Sequence, residues 1–255
     1  MLNFMFNEFD KTPQPYGLFH IICFIITIIV TIILIFLSRK KVNADKIVLV
    51  FGIILVVIEV YKQILYTIEA SRYQWYAFPF QFCSVPIYIA ILAPFIKNKK
   101  IKDMFYNFLA LFGLLAGLAV MIYPNDVFTK NISISLHTMI WHGSMVAMGI
   151  YLFVENKTSR SYKNIFKALN VYLVLIVIAL FINTLSHWFL DDALNAFYIS
   201  PWNGCHLPIL SIIRDNTPYI VFLLCYILAF VIGVTVIFYI GKIIDLIICK
   251  KKVKL

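Results

Sequence analysis

The sequence predicts an all-α fold of the polytopic membrane class, a bundle of about seven transmembrane helices. Hydrophobic residues make up 62% of the chain and charged residues 13%, whereas soluble domains are about half apolar and about a quarter charged. Apolar runs of about 20 residues, long enough to cross the hydrocarbon core of a bilayer, recur along the whole chain. Short polar links join most of these runs, so we expect one compact transmembrane domain over residues 18–241.

Each predicted span is an apolar run bounded by polar or charged residues. Residues 1–17 contain acidic residues and prolines, which are typical of an exposed leader and not of a signal peptide. Residues 242–255 form a basic tail. The link over residues 190–218 is long for a helical bundle, and we expect it to fold back over the outer mouth. The predicted spans are Leu18–Ser38, Ile47–Ile68, Phe78–Ile96, Met104–Tyr123, Leu136–Val154, Ala168–Phe189 and Tyr219–Gly241.

The distribution of charge predicts the orientation of the bundle. The net charge is +10, and most of the 22 basic residues follow the first, third and fifth spans or lie in the tail. Loops rich in Lys and Arg stay in the cytoplasm, which places the N-terminus outside and the C-terminus inside. The charge therefore reflects topology, with some attraction to anionic lipid, and predicts no nucleic-acid partner. We expect a multi-pass protein of the cell membrane.

One stretch, Phe78-Pro-Phe-Gln-Phe-Cys-Ser-Val-Pro-Ile-Tyr, is unusual for a segment in contact with lipid. Its prolines leave backbone carbonyls unpaired, which hydrocarbon tolerates only where protein or a cavity supplies partners. We therefore expect Cys83 to lie in a protein-lined pocket. The five cysteines show no CxxC spacing, so a disulfide framework or a thiolate zinc site is not predicted.

The predicted topology brings three polar residues to one depth in the outer half of the membrane. Cys83 lies one or two turns into the third span, His142 at a similar depth in the fifth, and Asn183 near the outer end of the sixth. A thiol, an imidazole and an amide are the elements of a nucleophile, a base and an orienting group. The alternative is that each is structural, since a buried cysteine commonly packs as a small apolar residue.

Other polar residues in the outer half are candidates for substrate binding: Glu59, Lys62, Gln81 and His187. Glu59 and Lys62 are three positions apart, so they can also form a neutral structural pair on one helix face. A metal site built from His137, His142, His187 and Asp126 is disfavoured. His137 and His142 are five positions apart, which separates them by roughly 140° around a helix. We expect neither a metal nor another cofactor.

Four motifs resemble those of the YwaF family of bacterial membrane proteins, which is related to eukaryotic transmembrane protein 164. They are Gln-Phe-Cys-Ser-Val-Pro, Met-Ile-Tyr-Pro-Asn-Asp, Ile-Trp-His-Gly and Phe-Ile-Asn-Thr. The resemblance implies a fold similar to androgen-induced-gene-type lipid hydrolases and an acyltransferase activity on phospholipids. It places the catalytic cysteine on Cys83, the histidine on His142 and an asparagine on Asn183. His187-Trp188 departs from the Asn-Tyr motif of the relatives.

The leading hypothesis is thus acyl transfer, or hydrolysis, on a phospholipid bound from the outer leaflet. His142 would deprotonate Cys83, and Asn183 would hold the histidine tautomer or donate to the oxyanion. The alternative is a transporter or sensor that binds a small polar ligand in the same outward-facing cavity. The sequence shows no inverted repeat of the kind common in transporters. It does not specify an oligomeric state.

Overall fold

A computed structural model of the chain describes residues 3–40, 42–124, 127–156 and 158–252, and within them the chain forms nine α-helices. A π-helical segment, Leu109–Gly113, joins α4 and α5 into one helix over Lys99–Ile122. The all-α class is therefore confirmed. The helices are α1 Leu18–Arg39, α2 Ala44–Glu69, α3 Val85–Leu92, α4 Lys99–Phe108, α5 Leu114–Ile122, α6 Ile132–Glu155, α7 Lys163–Phe189, α8 Leu210–Asn216 and α9 Tyr219–Lys252.

Among the described residues, five helices are long and apolar enough to cross a membrane. They match the first, second, fourth, sixth and seventh predicted spans. The fifth predicted span lies within α6, which is 24 residues long but carries histidines, serines and a threonine that lower its hydropathy. The count of seven spans is therefore not confirmed. The five spans are Leu18–Arg39, Ala44–Glu69, Lys99–Ile122, Lys163–Phe189 and Tyr219–Ile244.

The third predicted span, Phe78–Ile96, differs most from expectation. Its helix begins only at Val85 and closes with a 3-10 turn at Ala93–Phe95. At about 1.5 Å per residue this helix rises roughly 16 Å, against a hydrocarbon core of about 30 Å. Pro86 occupies the first turn of α3, where its missing N–H is not needed. The residues before it, including Cys83, therefore form turns instead of a membrane-crossing helix.

Helix α6 lies at the centre of the bundle and packs against α1, α2 and α5. Two glycines permit this close packing. A Cβ at Gly143 would collide with Thr27 of α1, and a Cβ at Gly117 of α5 would lie 2.8 Å from the backbone oxygen of His142. The backbones of α1 and α5 therefore approach the turn of α6 that carries His142. By contrast, α1 exposes long apolar side chains over much of its surface, as expected for contact with lipid.

The ends of the helices that carry basic residues meet at one end of the bundle. Lys102 of α4 pairs with Asp45 of α2, and Lys167 of α7 pairs with Asp103 of α4. These contacts place the basic links side by side, as the charge pattern requires. The cytoplasmic location of that end stays a prediction.

The opposite end is covered by the leader and by the link between α7 and α9. Met5 is buried against Leu65 of α2 and Ile134 of α6. In the link, Ala196 and Phe197 are buried in the main core of the bundle. The link over residues 190–218 therefore folds back onto the helices, as expected. Helix α9 continues beyond Gly241, the predicted end of the last span, as far as Lys252.

Candidate functional site

Cys83 lies in a tight turn that leads into α3. The backbone N–H groups of Ser84 and Val85 both donate to the carbonyl oxygen of Gln81, at 2.8 and 3.2 Å, which closes the turn. The indole N–H of Trp141, on α6, donates to the carbonyl oxygen of Cys83 at 2.9 Å. The central helix therefore fixes the backbone position of the cysteine.

The thiol of Cys83 is half-buried and packs against the main core of the bundle, with a few polar groups near it. Its nearest partner is the hydroxyl of Ser84, which hydrogen-bonds the sulfur. Lys62 and Glu59 of α2 are the charged side chains within electrostatic range of it. A cation near the thiol favours the thiolate form, which is the nucleophilic form of cysteine. The environment differs from that of a cysteine packed only among aliphatic side chains.

His142 is buried, with 7% of its surface exposed. Its Nδ1 lies 2.8 Å from the carbonyl oxygen of Thr138, one turn earlier in α6. Because a carbonyl can only accept, Nδ1 must carry the proton and Nε2 must hold the lone pair of the neutral ring. Nε2 is buried and, within the described residues, has no hydrogen-bond partner. In its neutral form, His142 therefore presents the lone pair of Nε2 to its surroundings.

The two residues share a neighbour, the ammonium group of Lys62, which lies within electrostatic range of both. In the part of the chain that the structure describes, no hydrogen bond joins the Cys83 sulfur to the imidazole of His142. Catalytic hydrogen bonds are commonly long or unformed in the absence of substrate. Lys62 is therefore a common charged neighbour of the predicted nucleophile and base, and their joint action stays a prediction.

A buried ionic cluster lies beside this pair and connects α2 to α6. Lys62 Nζ is 2.8 Å from Glu59 Oε1, and Gln63 Nε2 donates to the same oxygen at 2.6 Å. Glu59 Oε2 lies 3.5 Å from His137 Nε2, within ion-pair range but longer than a normal hydrogen bond. The ring of His137 stacks on that of Trp141, with 5.2 Å between the centroids. The carboxylate is therefore surrounded by three polar side chains.

Sequence reasoning predicted the Glu59–Lys62 pair and missed the role of His137. A signal was present, since His137 and Trp141 are four positions apart and share one face of a helix. The same spacing brings the imidazole towards α2 and the indole towards Cys83. Trp141 thus links the ionic cluster to the turn that holds the thiol.

Asn183 binds the link that follows α7, and not the histidine. Its Oδ1 accepts from the backbone N–H of Ala196 at 2.6 Å, and its Nδ2 donates to the carbonyl of the same residue at 3.1 Å. The tautomer of His142 is set by Thr138 instead, a backbone acceptor that a sequence pattern does not reveal. A direct part for Asn183 in catalysis stays a prediction.

The segment that Asn183 holds lies over Cys83. Phe197 packs against Phe80 and Phe82, which flank the turn of the cysteine, with centroid distances of 5.8 and 5.7 Å. Phe197 and Tyr198 both adopt the left-handed backbone region, with φ of 59° and 56°. Such a conformation costs about 1–3 kcal/mol per residue and persists only where the surroundings enforce it. The two bonds from Asn183 are part of that enforcement.

Comparison with known proteins identifies the family of the chain. The sequence profile of the TMEM164 family matches residues 15–240, which is most of the 255-residue chain. The chain belongs to the TMEM164 family. No curated protein and no solved structure matches it. The resemblance to transmembrane protein 164 is therefore confirmed, and the match is compatible with the YwaF relationship.

Membership of the TMEM164 family, together with the five long apolar helices, makes the chain a multi-pass membrane protein. Every predicted site residue falls inside the matched region. The family match supplies no catalytic roles, so these depend on the geometry alone.

Two further predicted residues of this TMEM164 family member contact the link between α7 and α9. Gln81 Nε2 donates to the carbonyl of Asn195 at 2.8 Å, and its Oε1 is buried with no hydrogen-bond partner among the described residues. His187 stacks on Trp202, with 4.0 Å between centroids, and its Nδ1 lies 3.1 Å from Asp192. Gln81 therefore lies two positions before Cys83, whereas His187, near the end of α7, contacts the link.

Among the described residues, no three His, Cys, Asp or Glu side chains are close enough together to hold a metal ion. Nε2 of the neutral His142 ring has a lone pair that could bind a metal ion. The titratable side chains within electrostatic range of His142 are Lys62 and His137, however, and not carboxylates. Asp126, a further candidate in the sequence, lies outside the described residues.

Replacing Asn183 by alanine is expected to release the segment over Cys83. The change leaves the N–H of Ala196 unpaired in a fully buried position, which costs about 1–3 kcal/mol, whereas the carbonyl of Ala196 keeps its bond from the N–H of Ile199. We expect a lower melting temperature in detergent and faster proteolysis after Tyr198. Asn183→Asp keeps the acceptor and should lose less than Asn183→Ala. Equal melting temperatures for the wild type and Asn183→Ala would contradict this role.

Proposed function

We propose that this TMEM164 family member transfers the acyl group of a phospholipid through a thioester on Cys83, with His142 as the base. The observation that most supports the proposal is the position of Nε2 of His142, which holds the lone pair of the neutral ring, is buried and has no hydrogen-bond partner among the described residues. A structural histidine normally uses both ring nitrogens. A base must keep one free for the proton that it takes up.

In the first step, Nε2 of His142 takes the proton of the Cys83 thiol. The thiolate attacks the carbonyl carbon of the lipid ester, the ester C–O bond breaks, and His142 returns the proton to the departing alkoxide. In the second step, a hydroxyl of an acceptor lipid gives its proton to His142 and attacks the thioester. The C–S bond breaks, and the proton moves to the sulfur. Water as the acceptor makes the same sequence a hydrolysis.

The ammonium of Lys62 has a place in this scheme because it is a cation within electrostatic range of the thiol. Its charge stabilises the thiolate, while its pairing with Glu59 keeps it from associating with the sulfur permanently. The cluster of Lys62, Glu59 and Gln81 also offers polar groups to a lipid headgroup that enters from the outer leaflet of the cell membrane. His187 lies at the outer rim, where a headgroup would pass.

Alkylation of the purified protein in detergent tests the activated thiol. Iodoacetamide should modify Cys83 faster than Cys205, because Cys83 is half-buried and has His142 as its proposed base, whereas the Cys205 side chain is buried. His142→Gln should slow the alkylation of Cys83 at least about tenfold, since a cysteine without a base is a few per cent thiolate at neutral pH.

The companion variant Cys205→Ala controls for general exposure and should alkylate at Cys83 as the wild type does. If Cys83 and Cys205 react at the same rate, and His142→Gln changes neither, the thiol is an ordinary one. A cavity that binds a small polar ligand, as in a transporter or sensor, would then be the better account.

A further inference from the structure

Two buried hydroxyl groups near Cys83 have no assigned role. Tyr172 of α7 and Tyr226 of α9 are fully buried, and within the described residues neither hydroxyl has a hydrogen-bond partner. A buried O–H without an acceptor is unfavourable, and most buried polar groups in proteins are paired. Such a hydroxyl is free to bind an acceptor that a bound molecule supplies.

Ring contacts place Tyr226 close to the cysteine. Phe230 packs against Phe82 with a centroid distance of 4.4 Å and against Tyr226 with 4.8 Å. Phe82 directly precedes Cys83, so one aromatic ring separates Tyr226 from the turn that holds the thiol. The hydroxyl of Tyr226 is also within electrostatic range of the Cys83 sulfur.

Helix α9 brings different chemistry to the neighbourhood of the thiol. Lys62 and Glu59 act on the sulfur from α2, whereas Tyr226 approaches from α9 through an aromatic environment. When the sulfur attacks an ester carbonyl, the carbonyl oxygen needs a hydrogen-bond donor other than the base. Donors aimed at the developing oxyanion in a dry site are among the largest contributions to catalysis.

We propose that the hydroxyl of Tyr226 is a catalytic residue that donates a hydrogen bond to the oxyanion formed when Cys83 attacks the acyl carbonyl. The inference depends on the proposed acyl transfer. The carbonyl oxygen of the lipid becomes the acceptor that the hydroxyl lacks. No proton is transferred from the tyrosine: the C=O electron pair moves onto oxygen, Tyr226 binds it, and the pair returns when the ester bond breaks.

Tyr226→Phe removes the hydroxyl oxygen and keeps the ring. We expect kcat for acyl release from phospholipid to fall about 10²–10³-fold, the usual effect of losing one oxyanion donor. Alkylation of Cys83 by iodoacetamide should be unchanged, because that reaction forms no oxyanion. The matched control is Tyr151→Phe, since Tyr151 is equally buried with an open hydroxyl but has Glu155 as its charged neighbour. It should keep wild-type kcat.

A lipid trifluoromethyl ketone gives a second readout that needs no turnover. The Cys83 thiolate adds to its carbonyl and leaves an oxyanion, so Tyr226→Phe should weaken inhibition by the same factor by which kcat falls. If the phenylalanine variant does not fold, trifluorotyrosine at position 226 tests the same hydroxyl. Its more acidic phenol should move the loss of activity at high pH to a lower pH, and an unchanged pH profile would overturn the inference.

The outcomes separate this inference from the proposed function. A kcat of Tyr226→Phe within threefold of wild type overturns the inference alone, provided that Cys83→Ala is inactive. Slower alkylation of Cys83 in Tyr226→Phe also overturns it, because the tyrosine would then position the thiol. Full turnover by Cys83→Ala overturns the proposed function and, with it, the inference.

Discussion

Replacement of Cys83 by alanine is expected to abolish acyl release from phospholipid, and His142→Gln to reduce it about 10²–10⁴-fold. The first change removes the atom that forms the thioester, whereas the second removes the base and leaves the nucleophile in place. Both proteins should fold, because the Cys83 side chain makes no buried ion pair and glutamine keeps the size and polarity of an imidazole. The measurement is release of a labelled acyl chain from mixed detergent–phospholipid micelles, with the melting temperature as the control for folding.

The neighbouring histidine provides the matched comparison. His137 lies on the same helix and is also largely buried, but its Nε2 is directed to Glu59 and its ring stacks on Trp141. We therefore expect His137→Gln to keep most of the activity and to lower the melting temperature. The reverse result, with His142→Gln active and His137→Gln inactive, would transfer the base to His137 and contradict the assignment made from the free nitrogen of His142.

The sequence anticipated the class of the fold because apolar runs are a direct property of composition. It overestimated the third span for the same reason. Hydropathy over Phe78–Ile96 records how apolar the residues are, but not that Pro86 begins a helix and that Cys83 lies in a turn before it. A membrane-crossing helix and a turn followed by a short helix can therefore have the same hydropathy and different backbones.

Several contacts around the candidate site could not be predicted from the sequence. The rise of a helix converts sequence position into height, which applies to His142 in α6 and not to Cys83, which lies in a turn before α3. The partner of Asn183 could not be predicted either, because Ala196 lies thirteen residues away in a short 3-10 turn of the link. The acceptor that fixes His142 is a backbone carbonyl, and any residue at position 138 supplies one.

The cluster around Glu59 is expected to show the largest effect on stability. Glu59→Ala leaves the ammonium of Lys62 without its counter-ion in a side chain that is only 15% exposed. Removing one partner of a buried pair lowers the free energy of unfolding by about 3–5 kcal/mol. The surface pair of Lys167 and Asp103, each about two-fifths exposed, is the control. Lys167→Ala should cost about 0–1 kcal/mol, because water screens exposed pairs.

A double variant distinguishes a structural role of the Glu59–Lys62 pair from a catalytic one. Replacing both Glu59 and Lys62 by leucine removes the two charges together, and such replacements are often neutral in stability or nearly so. We therefore expect Glu59→Leu/Lys62→Leu to be more stable than Glu59→Ala in chemical unfolding in micelles. The double-mutant cycle should show a coupling between the two sites, since their charges are in contact.

Activity of that double variant decides what the pair is for. If Lys62 stabilises the Cys83 thiolate, the folded double variant should release acyl chains far more slowly than wild type and should alkylate slowly at Cys83. If the pair has only a structural role, the double variant should keep wild-type activity and alkylation, because leucine side chains can pack α2 as well as an ion pair does. The position of Lys62 within range of both the thiol and His142 favours the first result. A stable, fully active double variant would remove Lys62 from the mechanism and leave Cys83 to depend on His142 alone.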